Sequence, residues 1–168
     1  LHLLVCAQAD VDKSSKSRSG TTPASFAAQQ ALTATLATLI RMQANLNELN
    51  NKGYTSVFFA IGGRADVVAM LIYGKGDLEK RPKTGMPILH AAAKGGDKPM
   101  VGLLLEAKAD VHALFKDYPA IRLAARNGHA DVLEVLVAAH GNPDFQLPHG
   151  QTTLILAARS GHAATNLP

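Results

Sequence analysis

The sequence contains no tryptophan, a single cysteine and only 5% aromatic residues. Without large rings the core must be built from Leu, Ala and Val, which suits thin helix pairs packed through small side chains. Cys6 has no partner for an intrachain disulfide, which fits a reducing compartment, and an intracellular location is expected. No apolar run approaches the roughly 18 residues that a membrane-spanning helix needs, and no signal peptide is visible. An excess of charge is also missing. The formal net charge of +4 permits an acidic partner but does not demand nucleic acid. A chain of 168 residues usually makes one domain.

What is present is a pattern written twice between Gly85 and Asp144. GMPILHAAAKGGDKPMVGLLLEAKADVH is followed by DYPAIRLAARNGHADVLEVLVAAHGNPD, the second copy starting 32 residues after the first. Each copy has a short apolar helix pattern containing Ala-Ala, a break at Gly-Gly-Asp or Asn-Gly-His, and a second helix pattern. That second pattern ends in an aliphatic triplet, Leu103-Leu104-Leu105 or Val135-Leu136-Val137. Self-similarity at this period indicates stacked repeats rather than one closed core.

Gly85, Leu89, His90, Ala92, Ala93, Gly96, the leucine triplet and Ala109-Asp110-Val111 closely resemble the ankyrin-repeat consensus. The resemblance implies an all-α, ankyrin-repeat solenoid of stacked helix-turn-helix units with short β-turn fingers. It extends over essentially all of residues 1–168, read as a single repeat domain. Residues 1–12 match the end of a truncated repeat, and Lys13 to Ser19 read as a polar loop. Repeats follow at 20–47, 53–79, 85–112 and 117–144, with an incomplete one at 150–168. The repeat at 53–79 is one residue short, and Gly62-Gly63 is expected to absorb the shortfall. In the repeat at 20–47, Pro23 suits a helix start. Thr35 and Thr38 stand there where aliphatic residues are expected, so each should bury a hydroxyl that bonds back to its own helix. That repeat is expected to be the softer one. The start at Leu1 without Met and the stop at Pro168 in mid-pattern suggest a fragment of a longer protein.

Residues capable of chemistry are scattered. His129 and His162 lie one repeat apart and cannot converge on one metal. No His, Cys, Asp or Glu set has zinc-ligand spacing, and Gly62-Gly63 lacks any nucleotide-binding signature around it. Asp10, Asp77, Asp110 and Asp131 stand at turn or capping positions. His90 occupies the position whose ring, in the family, ties neighbouring turns together. No catalytic residue, cofactor or metal site is identified, and the chain reads as non-enzymatic.

The family recognises partners through its turn tips and the exposed edge of each first helix. Carried over position by position, that surface comprises Lys52, Tyr54, Lys83, Met86, Lys94, Phe115, Lys116, Tyr118, Arg126, Asn127, His149 and Arg159, with Arg18, Gln29 and Gln30 at weaker repeats. No acidic residue falls among them. The expected function is therefore non-catalytic binding of another protein, through an acidic surface or segment, by a chain that is monomeric. Two alternatives stay open: a phosphate-bearing ligand such as RNA or a phosphoinositide, and a structural or regulatory role within a larger enzyme or channel.

Overall fold

The computed structural model describes residues 9–16, 19–62, 64–146 and 150–159. Cys6, Arg18, Gly63, His149 and His162 lie outside the described residues. The chain divides into two compact units, Leu1–Gly85 and Met86–Pro168. In the first, α1 (Pro23–Gln29) and α2 (Thr33–Arg41) precede α3 (Ser56–Ala60) and α4 (Ala65–Tyr73). Here α1 packs on α3 and α2 on α4. The second unit holds α5 (Ile88–Gly95), α6 (Lys98–Glu106), the hairpin β1 (Leu114–Phe115) and β2 (Tyr118–Pro119), α7 (Ala120–Asn127), α8 (Ala130–Ala138) and α9 (Thr153–Arg159). In this unit α5, α7 and α9 pack in succession as one layer, and α6 packs on α8 as a second. The class is all-α, as the sequence indicates, with a single short hairpin among the described residues.

Three of the first helices, α1, α5 and α7, bury an alanine pair, Ala27-Ala28, Ala92-Ala93 and Ala124-Ala125, so their neighbours approach closely without bulky side chains, while α3 buries Val57 and Ala60 and α9 buries Ala157. Each second helix buries aliphatic residues at helical spacing: Leu36 and Leu39, Val68 and Leu71, Val101 and Leu104, Leu133 and Leu136. The helix then closes in the same way every time. Gln43, Lys75, Lys108 and His140 turn left-handed. The amide of the following residue donates to the carbonyl of the buried Leu39, Leu71, Leu104 or Leu136 at 2.8–3.0 Å. These bonds satisfy carbonyls that a helix end would otherwise leave unpaired.

A carboxylate or carboxamide follows each closure and accepts from the amide two residues on. Asp10, Asn45, Asp77, Asp110 and Asn142 all do so, at 2.8–3.0 Å. This is the turn chemistry expected of Asp and Asn. Within the first unit successive turns are also tied together. Asn45 N donates to Asp12 Oδ1 and Asp77 N to Asn47 Oδ1, both at 2.7 Å. The first helices begin with Thr22, Thr55 and Thr152 as hydroxyl caps, Thr22 forming a reciprocal box with Ser25. Pro87 and Pro119 take the same place before α5 and α7 without a side-chain cap.

One local expectation changes. Thr35 and Thr38 are half-buried rather than buried, because the buried stripe of α2 runs through Leu36 and Leu39. The Thr38 hydroxyl does bond back to Ala34 O, at 2.9 Å. Between first and second helices, Gly96 and Gly128 are left-handed at φ 75. In α1–α2 the same place is held by Ala31 at φ 53, a conformation that crowds its Cβ. Gly62 is left-handed too.

At the start of α4, Arg64 Nε and Nη2 donate to the two carboxylate oxygens of Asp66 at 3.0 and 2.7 Å. The hydrogen bond from Arg64 holds the Asp66 carboxyl below its ordinary value of 3.8. A depressed carboxyl favours the fold above its unfolded pKa, and that contribution is lost as pH falls through the folded value. An NMR titration should therefore place the Asp66 midpoint below 3.8, and Arg64→Gln should move it upward. Gly96 is constrained twice, since a Cβ there would lie 2.5 Å from the His129 ring as well as at positive φ. Gly96→Ala should cost at least about 1 kcal/mol in urea unfolding, more than an alanine placed at Gly102, where nothing lies within 4 Å.

Candidate protein-binding face

In the first unit the finger before α3 is shaped by Asn50, a buried side chain whose Oδ1 accepts from the amides of Lys52 and Tyr54, each at 2.9 Å. The Lys52 side chain is exposed. Its carbonyl takes the amide of Lys83 at 3.3 Å, which brings two of the candidate lysines to adjacent fingers. Lys83 is also exposed. Tyr54 is half-buried, its ring 5.4 Å from Phe58 and 5.8 Å from Phe59. This unit therefore offers two lysines beside a small aromatic cluster.

The second unit carries more. Lys94, Arg126 and Arg159 stand in the last turns of α5, α7 and α9, all exposed, on helices that pack side by side. Cations there complement the negative ends of the helix dipoles, a structural use worth about 0.3–1 kcal/mol each. They also form a row. Packed helices lie roughly 8–10 Å apart, and the Debye length at physiological salt is about 8 Å, so neighbouring charges reinforce one another. The first helices α1, α3, α5, α7 and α9 contain no Asp or Glu at all. In the second unit the carboxylates sit on second helices and turns instead, where Asp97 caps α6 and Glu134 meets Lys98 at 3.4 Å.

The hairpin faces the same helices. Phe115 and Tyr118 are paired in register across it, both half-buried. The Phe115 ring stands edge-on to buried His90 at 6.1 Å, and Lys116 Nζ lies 5.5 Å from its centroid. The Arg122 guanidinium stacks on Tyr118 at 3.6 Å. His90 Nε2 donates to Tyr118 O at 2.9 Å, tying α5 to the next finger. Asn127 Nδ2 donates to Lys94 O at 3.1 Å, and His129 Nε2 lies 3.1 Å from the same carbonyl. Asn127, a candidate contact residue, thus also links α7 to α5. Met86 is half-buried.

Sequence reasoning missed two residues here. Arg122 stands one repeat, 32 residues, after His90, and it lines the face beside Tyr118. Asp117, exposed at the hairpin tip with φ 65, puts a carboxylate next to Lys116. It was overlooked because it holds the place taken in other repeats by the left-handed Gly20, Gly53, Gly85 and Gly150. Among the described residues no cluster of three or more His, Cys, Asp or Glu could hold a metal. Among the described residues no helix is long and apolar enough to cross a membrane.

The family model for ankyrin repeats (3 copies) matches residues 67–144 and 89–167. This chain belongs to the ankyrin-repeat family. It is 30% identical over 119 residues to Ankyrin repeat and KH domain-containing protein mask-1 of Caenorhabditis elegans, covering 68% of this chain and 4% of that protein. With human Ankyrin repeat and KH domain-containing protein 1 the identity is 36% over 94 residues, 54% of this chain and 4% of the relative. Neurogenic locus notch homolog protein 1 of Xenopus tropicalis is 32% identical over 143 residues, 83% of this chain and 6% of the relative. The chain thus spans only a few per cent of the length of these relatives. Ankyrin repeats are generally protein–protein interaction modules, and proteins built on them are typically non-enzymatic.

The His90 bond makes a separate expectation. His90→Leu removes the donor to Tyr118 O and should cost about 1–3 kcal/mol. Hydrogen exchange should quicken first in the hairpin at residues 114–119.

Proposed function

We propose that this ankyrin-repeat chain is a non-catalytic binding module that docks an acidic segment of another protein through its basic, aromatic-interleaved face. The observation that carries the reading is the segregation of charge. Lys94, Arg126 and Arg159 follow one another on adjacent first helices that hold no carboxylate, and none is ion-paired among the described residues. Lys116, Phe115 and Tyr118 add a charge and two aromatic anchors on the hairpin, residue types that dominate interface energetics. Lys52, Tyr54, Lys83 and Met86 extend the proposal to the other fingers. A scaffold whose turns are fixed by hydrogen bonds loses little freedom on binding, and the charge row speeds encounter more than it prolongs residence. The repeat boundaries at 20–47, 53–79, 85–112 and 117–144 and the monomeric state belong to the same proposal.

The test is binding of acidic partners with Lys94, Arg126 and Arg159 replaced by Glu, circular dichroism confirming an unchanged fold. Association should slow by on the order of tenfold or more in the triple variant, and also between low and physiological salt in the parent chain. Binding indifferent to both changes removes the reading. A steep salt dependence that ignores Phe115→Ala and Tyr118→Ala points instead to a phosphate-backbone ligand such as RNA.

A further inference from the structure

Between the hairpin and α7 lies a hollow of about 170 Å³. Its cationic lining comes from Lys116 on the hairpin and from Arg122 and Arg126, one turn apart on α7; no carboxylate lines it. Phe115 and Leu123 supply apolar wall. Tyr118 covers one flat face of the Arg122 guanidinium at 3.6 Å, which holds the group and leaves its in-plane N–H groups as the available donors. Arg122 Nε is buried and has no hydrogen-bond partner among the described residues. A buried donor left in that state costs free energy until an acceptor reaches the group.

We propose that this hollow is a subsite for a phosphorylated side chain of the partner. The proposal rests on the protein-binding reading above and names the anchor group at that face. Charge count decides between a phosphate and a carboxylate. Asp117 follows Lys116 outside the lining, so the two arginines, Arg122 and Arg126, set the balance, and one carboxylate would leave them sharing a single negative charge. A phosphomonoester brings about −1.5 to −2 charge and three acceptor oxygens, enough for the Arg122 fork together with Arg126 or Lys116. The apolar wall then takes the stem of the modified residue. Arg122 is thus a contact residue, and Tyr118 acts through it as a positioning residue.

Two measurements on the intact chain test this. The first uses arrays of degenerate peptides with a fixed central Glu, Ser, Tyr, phosphoserine or phosphotyrosine. The parent chain should retain one of the phosphorylated sets about tenfold more strongly than the Glu set. Arg122→Gln should abolish that preference, and Arg126→Gln, at an exposed position, should reduce it. Lys94→Glu with Arg159→Glu should weaken every set alike and leave the preference intact, so failure of the general charge row is distinguishable from failure of the subsite. Equal retention of Glu and phosphorylated sets, or a preference that survives Arg122→Gln, overturns the proposal. The second measurement needs no peptide context: O-phosphotyrosine and O-phosphoserine, titrated against glutamate, are followed at the Arg122 Nε–H resonance. A saturable shift with a phosphorylated amino acid but not with glutamate supports the subsite. No shift, or the same shift with glutamate, sinks it, and so does phosphoinositide-vesicle binding that needs Arg122 while phosphopeptides do not bind.

Discussion

One hydrogen bond recurs at the end of every second helix described, from an amide just past a left-handed residue back to the carbonyl of a fully packed leucine. Leu39, Leu71, Leu104 and Leu136 each fill the core with the side chain and hold the chain reversal with the backbone. The two roles depend on each other. If the leucine were not seated in the core the reversal would have no fixed origin, and without the reversal the next finger could not be aimed. The turn-forming Asp or Asn that follows continues the same geometry, taking the amide two residues on. A period of 32 or 33 residues in the sequence is the trace of this closure repeating.

Aiming the fingers is what gives the face its chemistry. In the second unit, α5, α7 and α9 lie side by side, so residues one repeat apart become neighbours in space. Lys94, Arg126 and Arg159 are far apart along the chain and adjacent on the fold. The polar links between those helices, from Asn127 and His129 to the Lys94 carbonyl and from His90 to the Tyr118 carbonyl, serve stability and presentation at once. They satisfy backbone groups at helix ends and fingers, and they fix the helix termini from which the cations project. Charge on the second helices and turns is spent differently, on caps and on the Lys98–Glu134 and Arg64–Asp66 pairs.

Where glycine is replaced, the fold shows what the repeat requires. Asp117 adopts the left-handed turn that Gly20, Gly53, Gly85 and Gly150 adopt elsewhere, and Ala31 does so where Gly96 and Gly128 stand. Asp tolerates that region through its short polar side chain; Ala has no such compensation. The backbone demand thus persists when the residue best suited to it is gone, because it is set by the leucine closure and helix packing on either side.

Local periodicity alone determined the helical units, their alanine and leucine faces and the turn Asp residues, because each of these is a short-range pattern that repeats; the candidate contact positions followed from the ankyrin resemblance. The absence of carboxylates from the first helices could be read the same way. Other features required the folded chain. Thr38 is half-buried because the core stripe of α2 passes through Leu36 and Leu39. Tyr54 is occupied with Phe58 and Phe59, and Asn127 with a carbonyl one repeat earlier. Arg122, aligned with a histidine, instead lies flat on Tyr118 beside a hollow shared with Lys116 and Arg126. Those outcomes depend on which side chain from one repeat fills the space left by its neighbour, and that three-dimensional adjacency is written in no single stretch of the sequence.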